Sequence, residues 1–203
     1  STMLFRRKIY DKFLTWKKET GGKKALLVEG ARRIGKSTVV EEFAKNEYRS
    51  YILIDFARAT ETVKEYFLEH LNDLDTFFML LSVEYGVTLY PRESIIVFDE
   101  VQMFPKAREA IKYLVADGRY DYIETGSLIS IKENVKDIVI PSEERHIKMY
   151  PLDFEEFLWA NGNDTMMDFI RDCYRKKAPL GQALHRKAMD LFRQYLIVGG
   201  MPQ

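Results

Sequence analysis

Between Gly30 and Ser37 the chain reads Gly-Ala-Arg-Arg-Ile-Gly-Lys-Ser: two glycines, then a cation and a hydroxyl. Glycines at these places let the backbone fold tightly and turn its N–H groups toward an anion. A helix opening at the lysine adds the donors of its own N-terminus. The spacing is that of a phosphate-binding loop, G-x-x-x-x-G-K-[ST]. Gly30, Ala31, Arg32, Arg33, Ile34, Gly35, Lys36, Ser37 and Thr38 are therefore expected to bind a nucleotide. Lys36 would reach the β- and γ-phosphates, Ser37 would bind Mg²⁺, and Thr38 would contact the α-phosphate. Arg32 and Arg33 either neutralise phosphate or meet a neighbouring subunit, or they form a solvated basic pair.

A second run bears on the same chemistry. Ile95-Ile96-Val97-Phe98-Asp99-Glu100 is an apolar strand ending in two acids, the pattern of a Walker B strand. A carboxylate at such a tip beside a phosphate loop anchors Mg²⁺, and Asp99 fits that role. Glu100 is placed to polarise an attacking water as general base. Thr125-Gly126-Ser127 closes the next strand. A polar residue there senses the γ-phosphate in ATPases with one strand inserted between the two motifs, and Ser127 or Thr125 qualifies. The competing reading is a glycine turn with serine as a cap.

These residues need a scaffold, and the chain supplies alternating elements. Apolar steps of three and four from Phe5 to Lys18 give an amphipathic helix with a basic outer face, ended by Thr20-Gly21-Gly22. Buried strands are expected at Ala25–Val28, Tyr51–Ile54, Ser94–Phe98, Tyr122–Thr125 and His146–Tyr150. Helices are expected between them, with Thr60 and Asn72 as caps and Pro105 in a first turn. Strands alternating with helices argue for a mainly parallel α/β sheet, which binds ligands at its strands' carboxyl ends. After Pro151 only helical signals follow, opened by an Asp153/Glu156 capping box. The expected division is an ATPase core over residues 1–150, including the helix at 5–18, and a helical lid over 151–203.

Composition narrows the class further. The chain has 203 residues, 46% of them hydrophobic, with 31 basic and 31 acidic side chains. Disorder as the main theme is excluded, and the balanced charge does not announce a nucleic-acid binder. Basic residues Arg6, Arg7, Lys8, Lys17, Lys18, Lys23 and Lys24 cluster near the start, more simply a solvated face than a nucleic-acid surface. Cys173 alone allows no disulfide within the chain and suits a reducing, cytoplasmic setting. No apolar run reaches membrane-spanning length, so no membrane role is expected. His70, His146 and His185 are scattered, without metal-ligand spacing. Arg119 and Arg145 are candidates for an arginine finger, although surface ion pairs explain both more simply.

With both motifs in place the chain resembles the AAA+ ATPases, and more closely a prokaryotic family known as AAA family ATPases. The resemblance rests on Gly30–Thr38, on Asp99-Glu100-Val101-Gln102, on Thr125-Gly126-Ser127, on Pro151-Leu152-Asp153-Phe154-Glu155-Glu156-Phe157 and on Gly199-Gly200-Met201-Pro202. It implies a P-loop NTPase three-layer sandwich, with five parallel strands in the order 5-1-4-3-2 and a small helical lid. It also implies Mg²⁺-dependent ATP hydrolysis with ATP and ADP as ligands. Lys36 and Glu100 would be catalytic, Ser37 and Asp99 would organise the metal, and Ser127 would report the γ-phosphate. Relatives carry Gly-Arg before the last strand where this chain has Glu144-Arg145. They also continue past Gly-Gly-x-Pro into a further domain, so the chain reads as a module cut from a longer protein. Rings among relatives make a homo-oligomer an open expectation, and nucleic acid is a partner no motif supports. The alternative function is a slow nucleotide-gated switch or scaffold. A GTPase is disfavoured, because no Asn-Lys-x-Asp motif is present.

Overall fold

The run Ser94–Asp99 is apolar on both faces and is buried along its whole length. Such a strand is stable only inside a sheet covered on both sides. The computed structural model, which describes residues 7–127 and 143–198, places it so. The strands are β1 (Ala25–Glu29), β2 (Ser50–Asp55), β3 (Ser94–Asp99), β4 (Asp121–Gly126) and β5 (Glu144–Lys148). They form one sheet in the order β2-β3-β4-β1-β5, and every pairing is parallel. This is the expected order read from the opposite edge.

The helices of this part are α1 (Ile9–Thr20), α2 (Lys36–Glu47), α3 (Glu61–Glu69), α4 (Leu74–Tyr85) and α5 (Pro105–Asp117). Alternate strand residues point to opposite faces. Ala25, Leu27, Ile52, Ile54, Ile96, Phe98 and Tyr122 join one core with the apolar faces of α3, α4 and α5. An aromatic nest fills it, in which Phe56, Phe67 and Phe98 meet edge to face. On the other face α2 lies along β2, β3 and β4. Its Phe43 packs on Phe13 and Trp16 of α1.

Several boundaries differ from the sequence reading, and three of them matter here. α1 starts at Ile9, and the expected start at Phe5 lies outside the described residues. α4 is capped by Asp73 and not Asn72, because the Asp73 carboxylate accepts the Thr76 N–H at 3.3 Å. β5 begins at Glu144, two residues before the expected His146. The charged pair Glu144-Arg145 hides the strand's start from an apolar-run reading. The Gly199–Pro202 motif also lies outside the described residues.

The chain forms two units. One is Lys12–Met149, and the other joins the described residues 7–11 to those from Tyr150 onward. The second unit contains α6 (Phe154–Ala160), α7 (Met166–Lys176) and α8 (Gln182–Val198). The Asp153/Glu156 capping box is formed in both directions, at 2.8 and 2.9 Å. Phe157, Leu158, Met166 and Leu191 make its buried core. Arg7 bonds Glu156 at 2.9 Å, and the Lys8 ammonium lies between Asp153 and Glu155. Among the described residues no helix is long and apolar enough to cross a membrane.

Candidate nucleotide-binding site

The glycine loop connects β1 to α2 at the carboxyl end of the sheet. Gly30 leaves β1 with its N–H donated to the Gly126 carbonyl at 3.2 Å. A Cβ on Gly30 would stand 2.5 Å from the Met149 carbonyl oxygen, so this position accepts only glycine without a backbone shift. Gly35 turns into α2 at φ +89°, a left-handed conformation that favours glycine. Arg33 is also left-handed, at φ +64°. Ala31, Arg32, Arg33, Gly35 and Thr38 are exposed, while Ile34 is half-buried.

Lys36 is buried, yet its ammonium is satisfied by the loop itself. It donates to the Gly30 carbonyl at 2.9 Å and to the Ala31 carbonyl at 2.6 Å. Burial lowers its pKa from the ordinary lysine value, with Arg32 adding to the effect and Glu100 and Asp99 opposing it. The lysine therefore spans the loop it belongs to, holding its first turn in shape.

Two distant stretches meet at Asp99. The Ser37 hydroxyl donates to Asp99 Oδ1 at 2.7 Å, across 62 positions of sequence. The Thr125 hydroxyl donates to the same oxygen at 2.5 Å. Thr125 Oγ1 in turn accepts the Glu100 N–H at 3.0 Å. Thr125 is thus wholly engaged by the two acids of β3's tip. Ser127, the other candidate sensor, is buried with an Oγ that has no partner among the described residues. Of the two hydroxyls weighed from sequence, that of Thr125 is bonded and that of Ser127 is buried with no partner among the described residues.

Glu100 stands in the left-handed region at φ +55°, ψ +51°, between β3 and a 3₁₀ turn over Val101–Met103. A bulky residue there costs of order 1–3 kcal/mol and persists only where its surroundings over-determine it. Its N–H goes to Thr125, and its carbonyl accepts the Met103 N–H at 3.0 Å. Its carboxylate oxygen Oε2 accepts from Gln102 Nε2 at 2.6 Å.

The arginines weighed as fingers are engaged elsewhere. Arg145 pairs with Glu19 at 2.7 Å, and Arg119 with Asp75 and Asp117 at 2.7 and 3.0 Å.

Sequence reading missed a charged network on the same sheet, behind the loop. Arg108 of α5 is buried and grips Glu144 of β5 with two bonds, at 2.8 and 3.1 Å. His146 faces Glu144 at 3.2 Å through Nε2 and Glu29 at 3.0 Å through Nδ1. Only an imidazolium can donate from both nitrogens. Its pKa is accordingly pushed up to about 9 by its bonds to Glu144 and Glu29. Glu124 of β4 is fully buried, and burial pushes its carboxyl pKa well above the ordinary range, helped by the neighbouring Glu144. The one available signal was the acid inside the strand Tyr122-Ile123-Glu124-Thr125.

A parallel sheet with a glycine loop after its first strand, and paired acids at the tip of a strand near it, defines the class of P-loop nucleotide-binding proteins. The chain belongs to the AAA domain family, which it matches over residues 22–158. It is therefore an AAA-type nucleotide-binding module of the P-loop ATPases. Among solved structures it is similar to a signal transduction ATPase with numerous domains, carrying a tetratricopeptide repeat sensor, from Pyrococcus horikoshii. The identity is 12% and the TM-score 0.47, covering 96% of this chain and 28% of that one. It is also similar to the Thermotoga maritima RuvB Holliday junction branch migration motor. There the identity is 10% and the TM-score 0.43, covering 92% and 70% of the two chains. The chain thus spans little more than a quarter of the first of these structures. No curated protein matches it.

Proposed function

We propose that this module hydrolyses ATP to ADP and phosphate in an Mg²⁺-dependent reaction. The observation that carries the reading is the Ser37–Asp99 bond at 2.7 Å, which joins the phosphate loop to the acidic strand tip. That bond puts a hydroxyl and a carboxylate, the oxygen donors Mg²⁺ prefers, side by side next to Lys36 and Glu100. Mg²⁺ held by Ser37 and organised by Asp99 would neutralise charge between the β- and γ-phosphates.

The chain's own groups do the rest. Backbone N–H groups from Ala31 to Thr38 and the start of α2 receive the phosphate oxygens. Lys36 supplies a positive charge to the β- and γ-phosphates. Glu100 takes a proton from water as the water oxygen bonds the γ-phosphorus. The bond from that phosphorus to the β,γ-bridging oxygen breaks, and ADP leaves with the electron pair. Ser127, whose buried hydroxyl has no partner among the described residues, would donate to a γ-phosphate oxygen. The switch alternative keeps the same binding residues and differs in turnover alone.

The test is Mg²⁺-ATP turnover by the chain and by Glu100→Gln, with nucleotide affinity measured by calorimetry. Glu100→Gln is expected to bind ATP as the wild type does and to lose turnover by about 10²–10⁴-fold. Lys36→Ala is expected to lose nucleotide binding. Equal turnover in Glu100→Gln removes Glu100 from the mechanism. Tight binding with no turnover in the wild type assigns the module to the switch class.

A further inference from the structure

The residues proposed for hydrolysis leave one member of the acidic motif without a task. Gln102 lies in the 3₁₀ turn after Glu100, and only 2% of its surface is exposed. Its Nε2 donates to Glu100 Oε2 at 2.6 Å. Its Oε1 is buried and has no partner among the described residues. Burying an amide with an unpaired oxygen costs stability, and an apolar residue of the same shape would avoid that cost. What the amide provides in return is its one bond, to the Glu100 carboxylate.

That bond completes a three-point hold. The Glu100 N–H is fixed by Thr125, its carbonyl by Met103, and its carboxylate by Gln102. A left-handed backbone fixes where the side chain starts, and the Gln102 amide fixes where it ends. Oε2 is tied, and among the described residues Oε1 is the carboxylate oxygen without a hydrogen bond, the one left to accept a proton. A general base needs this arrangement, because its reach to the water must hold to a fraction of an ångström.

We propose that Gln102 is a positioning residue that aims the Glu100 carboxylate for water activation. This rests on the hydrolytic reading above. The variant that tests it is Gln102→Met, close in volume, without the donor and without the unpaired acceptor. In the full chain it is expected to lower kcat about tenfold or more, with the ATP dissociation constant changed less than about twofold. Its thermal unfolding midpoint is expected to stay level or rise. A residue kept only for structure would lose stability together with activity, so the split between the two readouts separates the roles. In a Glu100→Gln background, Gln102→Met is expected to remove no further activity.

A second measurement does not depend on turnover. The Gln102 side-chain amide signals in a proton–nitrogen NMR spectrum are expected to shift when Glu100 is replaced by Ala. Unchanged or raised kcat in Gln102→Met overturns the proposal, as does a kcat loss matched by a lower unfolding midpoint. An equal loss in the Glu100→Gln background, or amide signals indifferent to Glu100, overturns it too. Turnover lost in Glu100→Gln but kept in Gln102→Met defeats this proposal alone and leaves hydrolysis standing. Absence of turnover in the wild type defeats both.

Discussion

Thr125 shows how much one hydroxyl can hold. It donates to Asp99 and accepts from the Glu100 backbone, and it is fully buried. Thr125→Val keeps the shape and removes both bonds. The Glu100 N–H is left without its acceptor, a loss of about 1–3 kcal/mol for an unsatisfied buried group. Denaturant unfolding is expected to show that loss for valine, and most of it restored by Thr125→Ser. Lys36 carries a similar double duty. Its ammonium bridges the Gly30 and Ala31 carbonyls, so Lys36→Ala removes a loop brace together with a charge. The phosphate loop and the paired acids were legible in the sequence, because glycines and strand-tip acids announce themselves through local backbone demands. The tasks of Thr125 and Gln102 were not, since each depends on which side chain the folded chain brings opposite. Spacing leaves Ser127 and Thr125 both open as the sensor, and the folded chain adds that Thr125 is bonded to both acids of the β3 tip while the buried Ser127 hydroxyl has no partner among the described residues.

At the scale of elements, the edge strand β5 is held by charge more than by apolar area. Glu144 is pulled down to about 2, with the neighbouring Glu124 carboxyl and the bonds to His146 and Arg108 outweighing burial, and His146 is raised to about 9. A histidine whose pKa rises on folding adds stability below its unfolded value of about 6.5, and that stability is lost as pH climbs through about 9. For Glu144 the sign reverses: its contribution is present above about 4.5 and is lost as pH falls toward 2. Glu124, its pKa raised by burial, also favours the folded state less as pH rises, but from the carboxylate range upward. Unfolding midpoints taken across pH should therefore decline between about 6.5 and 9, and His146→Gln should flatten that limb. A limb unchanged by the substitution would mean that His146 titrates alike in both states. Apolar runs located the other four strands closely, and helix caps located most helix ends. β5 was misplaced by two residues because its first two side chains are ionic and find their partners, Arg108 and Glu19, far away in sequence.

Across the whole molecule the two units differ in how much they bury. The sheet unit has a large aromatic and aliphatic core against α3, α4 and α5, whereas the apolar cluster of the second unit has four buried members among the described residues. Its longest helix, α8, buries only Leu191. Local opening follows the apolar surface an element hides. Hydrogen–deuterium exchange should therefore release the amides of α7 and α8 before those of β1, β3 and β4. Equal protection in both would contradict that ranking. Within the sheet unit, the Ser37–Asp99 bond and the Arg108–Glu144–His146–Glu29 chain form a closed circuit. It runs from the loop to the tip of β3, along the backbone into α5, across to β5 and back to the residue preceding Gly30. The loop is therefore tied on both of its sides, by Asp99 on one and by Glu29 through His146 on the other. Any motion that separates the glycine loop from the tip of β3 has to break the Ser37–Asp99 bond, and any that draws the end of β5 from the end of β1 has to break the His146–Glu29 pair.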